Sequence, residues 1–257
     1  MANKKLEESS LPDLFQAADE ASRKAQSYYY LALKSYLLLL VMAAAISFYC
    51  PNNSIGAVFS AVLFIITLFI LIILKFQKPE DTWYNARAVA ESVKTRTWRW
   101  VMQAEPYESC ESDEQIRKQF LSDLKAILDQ NTSLSGDLHW TKSDGNAVSQ
   151  AMVQIRNLSL IERLSIYKEE RVNDQAVWYG KKSQLNKRRS KQWFYMSVIL
   201  HFAAILMLLY KIKEPTLSLP VEAVATAASA VLTWLQAKKH NELSASYSLA
   251  AHEIVLI

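Results

Sequence analysis

Apolar residues in this chain gather into blocks instead of alternating evenly with polar ones. Ser35 to Tyr49 carries no charge. Extended back through Tyr28 to Leu33, it reaches membrane-spanning length with Lys34 as its one interruption, and a lysine there can snorkel to the headgroups. Past the short uncharged link 50–54, Ile55 to Leu74 supplies about twenty apolar residues, enough to cross a hydrocarbon core ~30 Å thick. A second pair follows, Trp193 to Tyr210 and Val221 to Ala237, separated by Lys211 to Pro220. The pattern predicts an all-α integral membrane protein, with four membrane-crossing helices in two hairpins and a helical cytoplasmic stalk. The last of the four is alanine-rich and holds Thr, Ser and Gln, so its pattern also suits a buried core helix.

Between the hairpins, about Lys75 to Gln192, the period turns amphipathic. Pro79 suits a first helical turn, and Trp83, Tyr84, Ala86, Ala88, Ala90, Val93, Trp98 and Val101 carry a helix to Pro106. A second helix, Glu111 to Gln130, aligns Ile116, Phe120, Leu124, Ile127 and Leu128 on one face. Ser159 with Glu162 forms a capping-box pattern ahead of a third, expected to run unbroken from about Leu160 into the third span. Residues Asn131 to Gly145 read as a loop between two similarly ordered halves, which suggests an internal duplication. The expected domains are residues 1–130, a first hairpin unit with the helices after it; a linker loop, 131–145; and 146–257, a second hairpin unit with the helix before it.

Composition narrows the class. With 4 glycines and 6 prolines the chain lacks the turn formers of an all-β or doubly wound fold. The net charge of +4 is modest, and its basic run, Lys181 to Lys191, directly precedes an apolar block; this is a membrane flank, and no nucleic-acid partner is expected. Lys and Arg are sparse in the hairpin tips and dense elsewhere, which places both termini and the central region in the cytoplasm. Tyr28, Tyr29, Tyr30, Tyr49, Trp193, Tyr195 and Trp234 sit near span ends, where amphipathic rings favour the interface. The first 27 residues lack a signal-peptide pattern, so the first span is expected to target the chain.

Candidate chemistry is thin. Cys50 and Cys110 fit no metal or disulfide spacing, and of His139, His201, His240 and His252 only His252 adjoins a ligand-type residue, Glu253. Asp129, Asn131 and Ser133 echo a calcium loop, but Leu134 and Trp140 occupy the positions of its glycine and bidentate carboxylate. No catalytic or phosphate-binding motif occurs, so no enzyme activity, no catalytic or metal site and no cofactor is expected. His201, an ionisable group inside a span, is a functional candidate; its plain alternative is a neutral imidazole bonded to another helix. In the fourth span Glu222, Thr226, Ser229, Thr233 and Gln236 recur at steps of four and three, placing them on one face. Such a face must meet water or another helix, as a pore lining or as a close-packing surface.

The string Asp81 to Trp100, directly after a two-span hairpin, resembles the SLATT family, the SMODS and SLOG-associating two-transmembrane effector domains of bacterial nucleotide-signalling and conflict systems. Two further stretches share the resemblance. One is the lead-in with Leu11, Pro12, Leu14, Phe15, Ala18, Asp19, Ser22 and Gln26; the other holds Tyr167, Arg171, Asp174, Gln175, Trp178, Tyr179 and Lys182. The resemblance implies an inner-membrane effector that assembles as a homo-oligomer in the lipid bilayer and permeabilises it during infection, switched by a separately encoded sensor or activator. The resemblance also implies that relatives continue where this sequence reaches Ile257, early in the helix that follows the second hairpin. Within the first string, Trp83, Tyr84, Ala88, Glu91, Lys94 and Trp98 are candidates for coupling stalk to membrane, or for plain stalk core. A scaffold that only anchors a cytoplasmic partner is the leading alternative, and a small transporter the next.

Overall fold

The computed structural model describes residues 5–51, 53–108, 112–134, 136–138 and 147–256. Cys110, His139 and residues 139–145 of the expected linker lie outside them. Among the described residues there is no strand, and nearly all the structure is helix: α1 (Asp13–Tyr49), α2 (Ser54–Gln77), α3 (Pro79–Met102), α4 (Asp113–Asp129), α5 (Gln150–Arg156), α6 (Leu160–Tyr167), α7 (Asp174–Lys213), α8 (Val221–Lys238) and α9 (His240–Val255). A π-helical turn, Lys168–Asn173, joins α6 to α7, so the predicted unbroken helix runs from Leu160 to Lys213. The chain divides into two compact units, one made of the residues up to Tyr28 with Lys78–Gln175, the other of Tyr29–Gln77 with Ala176 onward.

The first unit owes its existence to a single buried stripe on α3. Ala86, Val89, Ala90 and Val93 recur at helical spacing and are all sequestered from solvent. Phe15 and Ala18 of α1, Ile116, Phe120 and Leu124 of α4, and Met152 and Ile155 of α5 join them in one core. Phe120 is fully buried, its ring 5.6 Å from Trp100 and 5.8 Å from Tyr107. The Arg156 guanidinium lies 4.8 Å over the Trp100 ring and donates to the carbonyls of Trp100 and Tyr107. That fastens the end of α3 to α5.

The expected capping box at Ser159 and Glu162 is formed, with Ser159 N–H donating to the Glu162 carboxylate at 3.0 Å. A second box, Ser112 with Gln115, starts α4, and the short helix α5 begins at an N-capping Ser149; neither was anticipated. Leu128, counted on the apolar face of α4, is exposed. Twelve residues beyond Ile116 the helix has turned roughly 120° away from it, whereas Ile127 returns to the core side. The expected loop after α4 is pinned by Leu134, buried in the core within a short 3-10 turn.

In the second unit α1 and α2 meet through small residues. The Ser60 hydroxyl donates to the carbonyl of fully buried Ala43 at 3.3 Å. At Gly56 an added Cβ would stand 2.5 Å from the Cβ of Cys50, so this approach requires glycine. Among the described residues three helices are long and apolar enough to cross a membrane: Asp13–Tyr49, Ser54–Met102 (α2 and α3 taken across Lys78) and Leu160–Lys213. In their most apolar stretches only 11%, 11% and 6% of the residues are buried. That much uncovered apolar surface is stable only in lipid or against further protein. Helix α8 is not in this set, since Glu222, Gln236, Lys238 and its hydroxyl residues lower the hydropathy of its 18 residues.

Phe120→Ala is expected to destabilise the first unit by about 3–5 kcal/mol, the usual cost of emptying an aromatic site in a packed core. Limited proteolysis of the detergent-solubilised protein should show faster cleavage between α3 and α6, while Phe202→Ala, at an exposed position of α7, leaves the rate unchanged.

Candidate functional site

Helix α8 sorts its side chains by face. Val221, Ala223, Ala228 and Trp234 are buried against its own unit, whereas Glu222, Ser229, Thr233 and Gln236 are exposed and Thr226 is half-buried. The structure therefore keeps these five residues together and turns their face outward. Two of the hydroxyls are satisfied within the helix, Thr226 donating to the Glu222 carbonyl at 2.7 Å and Thr233 to that of Ser229 at 2.9 Å. His201 is exposed on α7. Its Nδ1 donates to the Ser197 carbonyl at 2.7 Å, so its hydrogen bond is to its own helix and not to another.

Several of the motif residues make contacts between helices. In the first unit Asp19 of α1 pairs with Arg87 of α3 at 3.1 Å, and the Ser22 hydroxyl donates to the Trp83 carbonyl at 3.2 Å. Trp83 stacks on Tyr84 at 4.6 Å, and Arg87 reaches Glu91 at 2.6 Å. Ala88 is exposed, so it adds nothing to this core. Trp98 is buried and meets Tyr167 edge to face at 5.7 Å. In the second unit Trp178 and Tyr179 pack on Tyr247 of α9 at 5.6 and 5.8 Å, with Lys182 over the Trp178 ring at 5.3 Å. Nearby, Ser183 and Ser244 exchange hydroxyl-to-carbonyl bonds of 2.8 and 3.0 Å.

One cavity in the first unit, about 640 Å³, gathers residues from both motif stretches: Lys94 and Trp98 of α3 with Arg171, Asp174 and Gln175. Its third wall, the segment Lys5 to Leu11, was not anticipated, and nothing in its polar composition marks it. Leu6 and Leu11 are nonetheless buried, the Leu6 N–H donates to the Glu170 carboxylate at 3.0 Å, and Glu8 pairs with Lys94 at 2.6 Å. The hydrogen bond from Lys94 holds the Glu8 carboxyl below its ordinary range against the opposing effect of burial. Burial pushes the Glu170 carboxyl up, partly offset by the Leu6 N–H. Among the described residues no group of three or more His, Cys, Asp or Glu is placed to hold a metal ion.

Two family models match the chain. Residues 12–164 match SMODS and SLOG-associating 2TM effector domain 3, and residues 167–257 match SMODS and SLOG-associating 2TM effector domain 1. No curated protein and no solved structure matches it. The cavity thus draws its walls from both matched segments.

Glu8→Gln should loosen the segment Lys5 to Leu11, raising its amide exchange roughly two- to fivefold at neutral pH, as for a partly exposed ion pair. Because the Glu8 carboxyl is depressed in the fold, its contribution is present above the ordinary carboxylate range and vanishes as pH falls through the depressed value. Glu170→Gln should leave exchange unchanged or slower, since the raised carboxyl already disfavours its charged form and a carboxamide still accepts from Leu6. Hydrogen–deuterium exchange of both variants across the acid range checks the opposite signs.

Proposed function

The chain belongs to the SLATT family, as two SLATT domains in tandem, and from that premise we propose that it is a membrane effector of bacterial antiviral defence that oligomerises into a pore. In this reading α1, α2, α7 and α8 form four spans in two hairpins of the inner membrane. Both termini and the first unit lie in the cytoplasm, and the protein carries out no catalysis. On activation by a separately encoded sensor, several copies bring their α8 helices together.

The observation that carries the reading is the outward polar face of α8. Glu222, Ser229, Thr233 and Gln236 are exposed on a helix whose opposite face is buried, within a unit otherwise surfaced by large apolar side chains. A lone copy in hydrocarbon would set that face against lipid, at a cost that association around a water file removes. The family description, an effector domain with two transmembrane segments, supports the same reading. A non-conducting anchor is the second reading. It is favoured by the self-satisfied hydroxyls of Thr226 and Thr233, which make the face less demanding of a partner.

The combined substitution Thr226→Leu, Ser229→Leu and Thr233→Leu distinguishes them. Expressed under activating conditions, the wild-type chain should collapse the membrane potential reported by a voltage-sensitive dye, and the variant should insert equally well yet leave the potential intact. Depolarisation that survives the substitution removes α8 from the conduction path, and a wild type that never depolarises leaves the anchor.

A further inference from the structure

A second cavity, about 800 Å³, lies within the second unit and belongs to none of the features above. Its lining includes Lys34 of α1, Arg189 of α7 and Lys238 of α8, and no carboxylate. Nor does any of the three cations have a carboxylate partner among the described residues. Aromatic faces are what they find instead. Lys34 and Lys238 both sit over the Trp234 ring, at 5.3 and 5.2 Å, and Lys238 lies 3.2 Å over the Tyr30 ring. His240 is buried beside them with Nδ1 donating to Asn186 Oδ1 at 2.7 Å; the Asn186 amide is oriented by its own donation to the Lys182 carbonyl. Burial, with Lys238 and Arg189 adding to it, pushes this imidazole below its ordinary value, so at neutral pH it contributes a hydrogen-bonding edge and no fourth charge.

The cavity changes character along its length. Lys34 gives way to Leu37 and Val41 along α1, Arg189 to Trp193 and Met196 along α7, and Lys238 to Val231 and Ala227 down α8. At 1.5 Å per residue these gradients extend about 10–16 Å, all from a cationic end to an apolar one. Trp193 and Trp234, 6.2 Å apart, mark the level where one passes into the other. Clustered like charges without counter-ions are repulsive, and an apolar trough along membrane-spanning helices takes up hydrocarbon. One occupant relieves both, a molecule with an anion at one end and hydrocarbon at the other.

We propose that this cavity is a binding site for an anionic glycerophospholipid, its phosphodiester held between Lys34, Arg189 and Lys238 and an acyl chain laid along Leu37, Val41, Met196 and Val231. Bound there, the lipid ties α1, α7 and α8 together at one membrane surface. The site depends on these helices lying in a bilayer, but not on conduction.

The test uses the full chain in detergent, exposed to an equal mixture of phosphatidylglycerol and phosphatidylcholine with matched acyl chains and analysed by native mass spectrometry. Phosphatidylglycerol should be retained in preference. Neutralising the cations (K34Q, R189Q, K238Q) should lower its retention roughly fivefold for each substitution and about a hundredfold for the triple variant, with phosphatidylcholine unaffected. K211Q with K213Q, which removes charge from the other end of α7, should change nothing. The charge-preserving set K34R, R189K and K238R should retain the lipid, which separates loss of the site from loss of the fold. Equal retention of both lipids, or undiminished phosphatidylglycerol on the triple variant, overturns the proposal, as does displacement by excess inorganic phosphate, which would make the site one for a free anion. Extraction of the native chain from membranes by alkaline carbonate would instead defeat the bilayer placement itself.

Discussion

Every peptide group that enters hydrocarbon must bring its hydrogen-bond partner along, since nothing in the lipid can supply one. A helix meets that condition by itself, and here the condition governs what the side chains can then do. With the backbone closed, α2 is free to present Phe59, Ile65, Leu68 and Phe69 outward, where they would be untenable in water. The small residues Ala43, Gly56 and Ser60 are left to set how closely α1 and α2 approach. The polar face of α8 contrasts with such surfaces, because in hydrocarbon each exposed carboxylate, hydroxyl or amide would call for water or a neighbour.

The first unit obeys a different balance. It is organised by burial of ordinary size around α3, and its polar contacts, Asp19 with Arg87 and Ser22 with the Trp83 carbonyl, orient helices that hydrophobic packing has already brought together. This gives the family motifs a physical meaning. Most of the residues that carry the resemblance are junction residues, Trp98 against Tyr167 and Trp178 against Tyr247 among them. They identify the architecture more directly than they identify a chemistry. Some of them, Lys94, Arg171 and Asp174, also line a cavity.

The long helices were legible because their signals are local: uninterrupted apolarity for α2, the capping box at Ser159, the proline at the start of α3. The same locality explains the misses. Leu128 was placed on the wrong side because a fixed step of four drifts off a turn of 3.6 residues. Helix α5 is only 7 residues long, too short for a period to declare itself. The N-terminal wall of the first cavity rests on two leucines in a polar stretch, and their burial depends wholly on what they meet. Likewise Lys34, Arg189 and Lys238 each look like the ordinary basic border of a separate span. Only the fold shows that they share one cavity.

The π-helical turn between α6 and α7 bears on how relatives of this chain can be compared. Such a turn arises where one residue more than the α-helix needs is taken up in a single wider loop of backbone, leaving the rotational phase of both flanks undisturbed. A relative one residue shorter between Lys168 and Asn173 would close into plain α-helix with Trp178 still facing as it does here. A one-residue deletion at this point is therefore conformationally silent, and an alignment forced to be gapless through it would misassign every facing residue beyond.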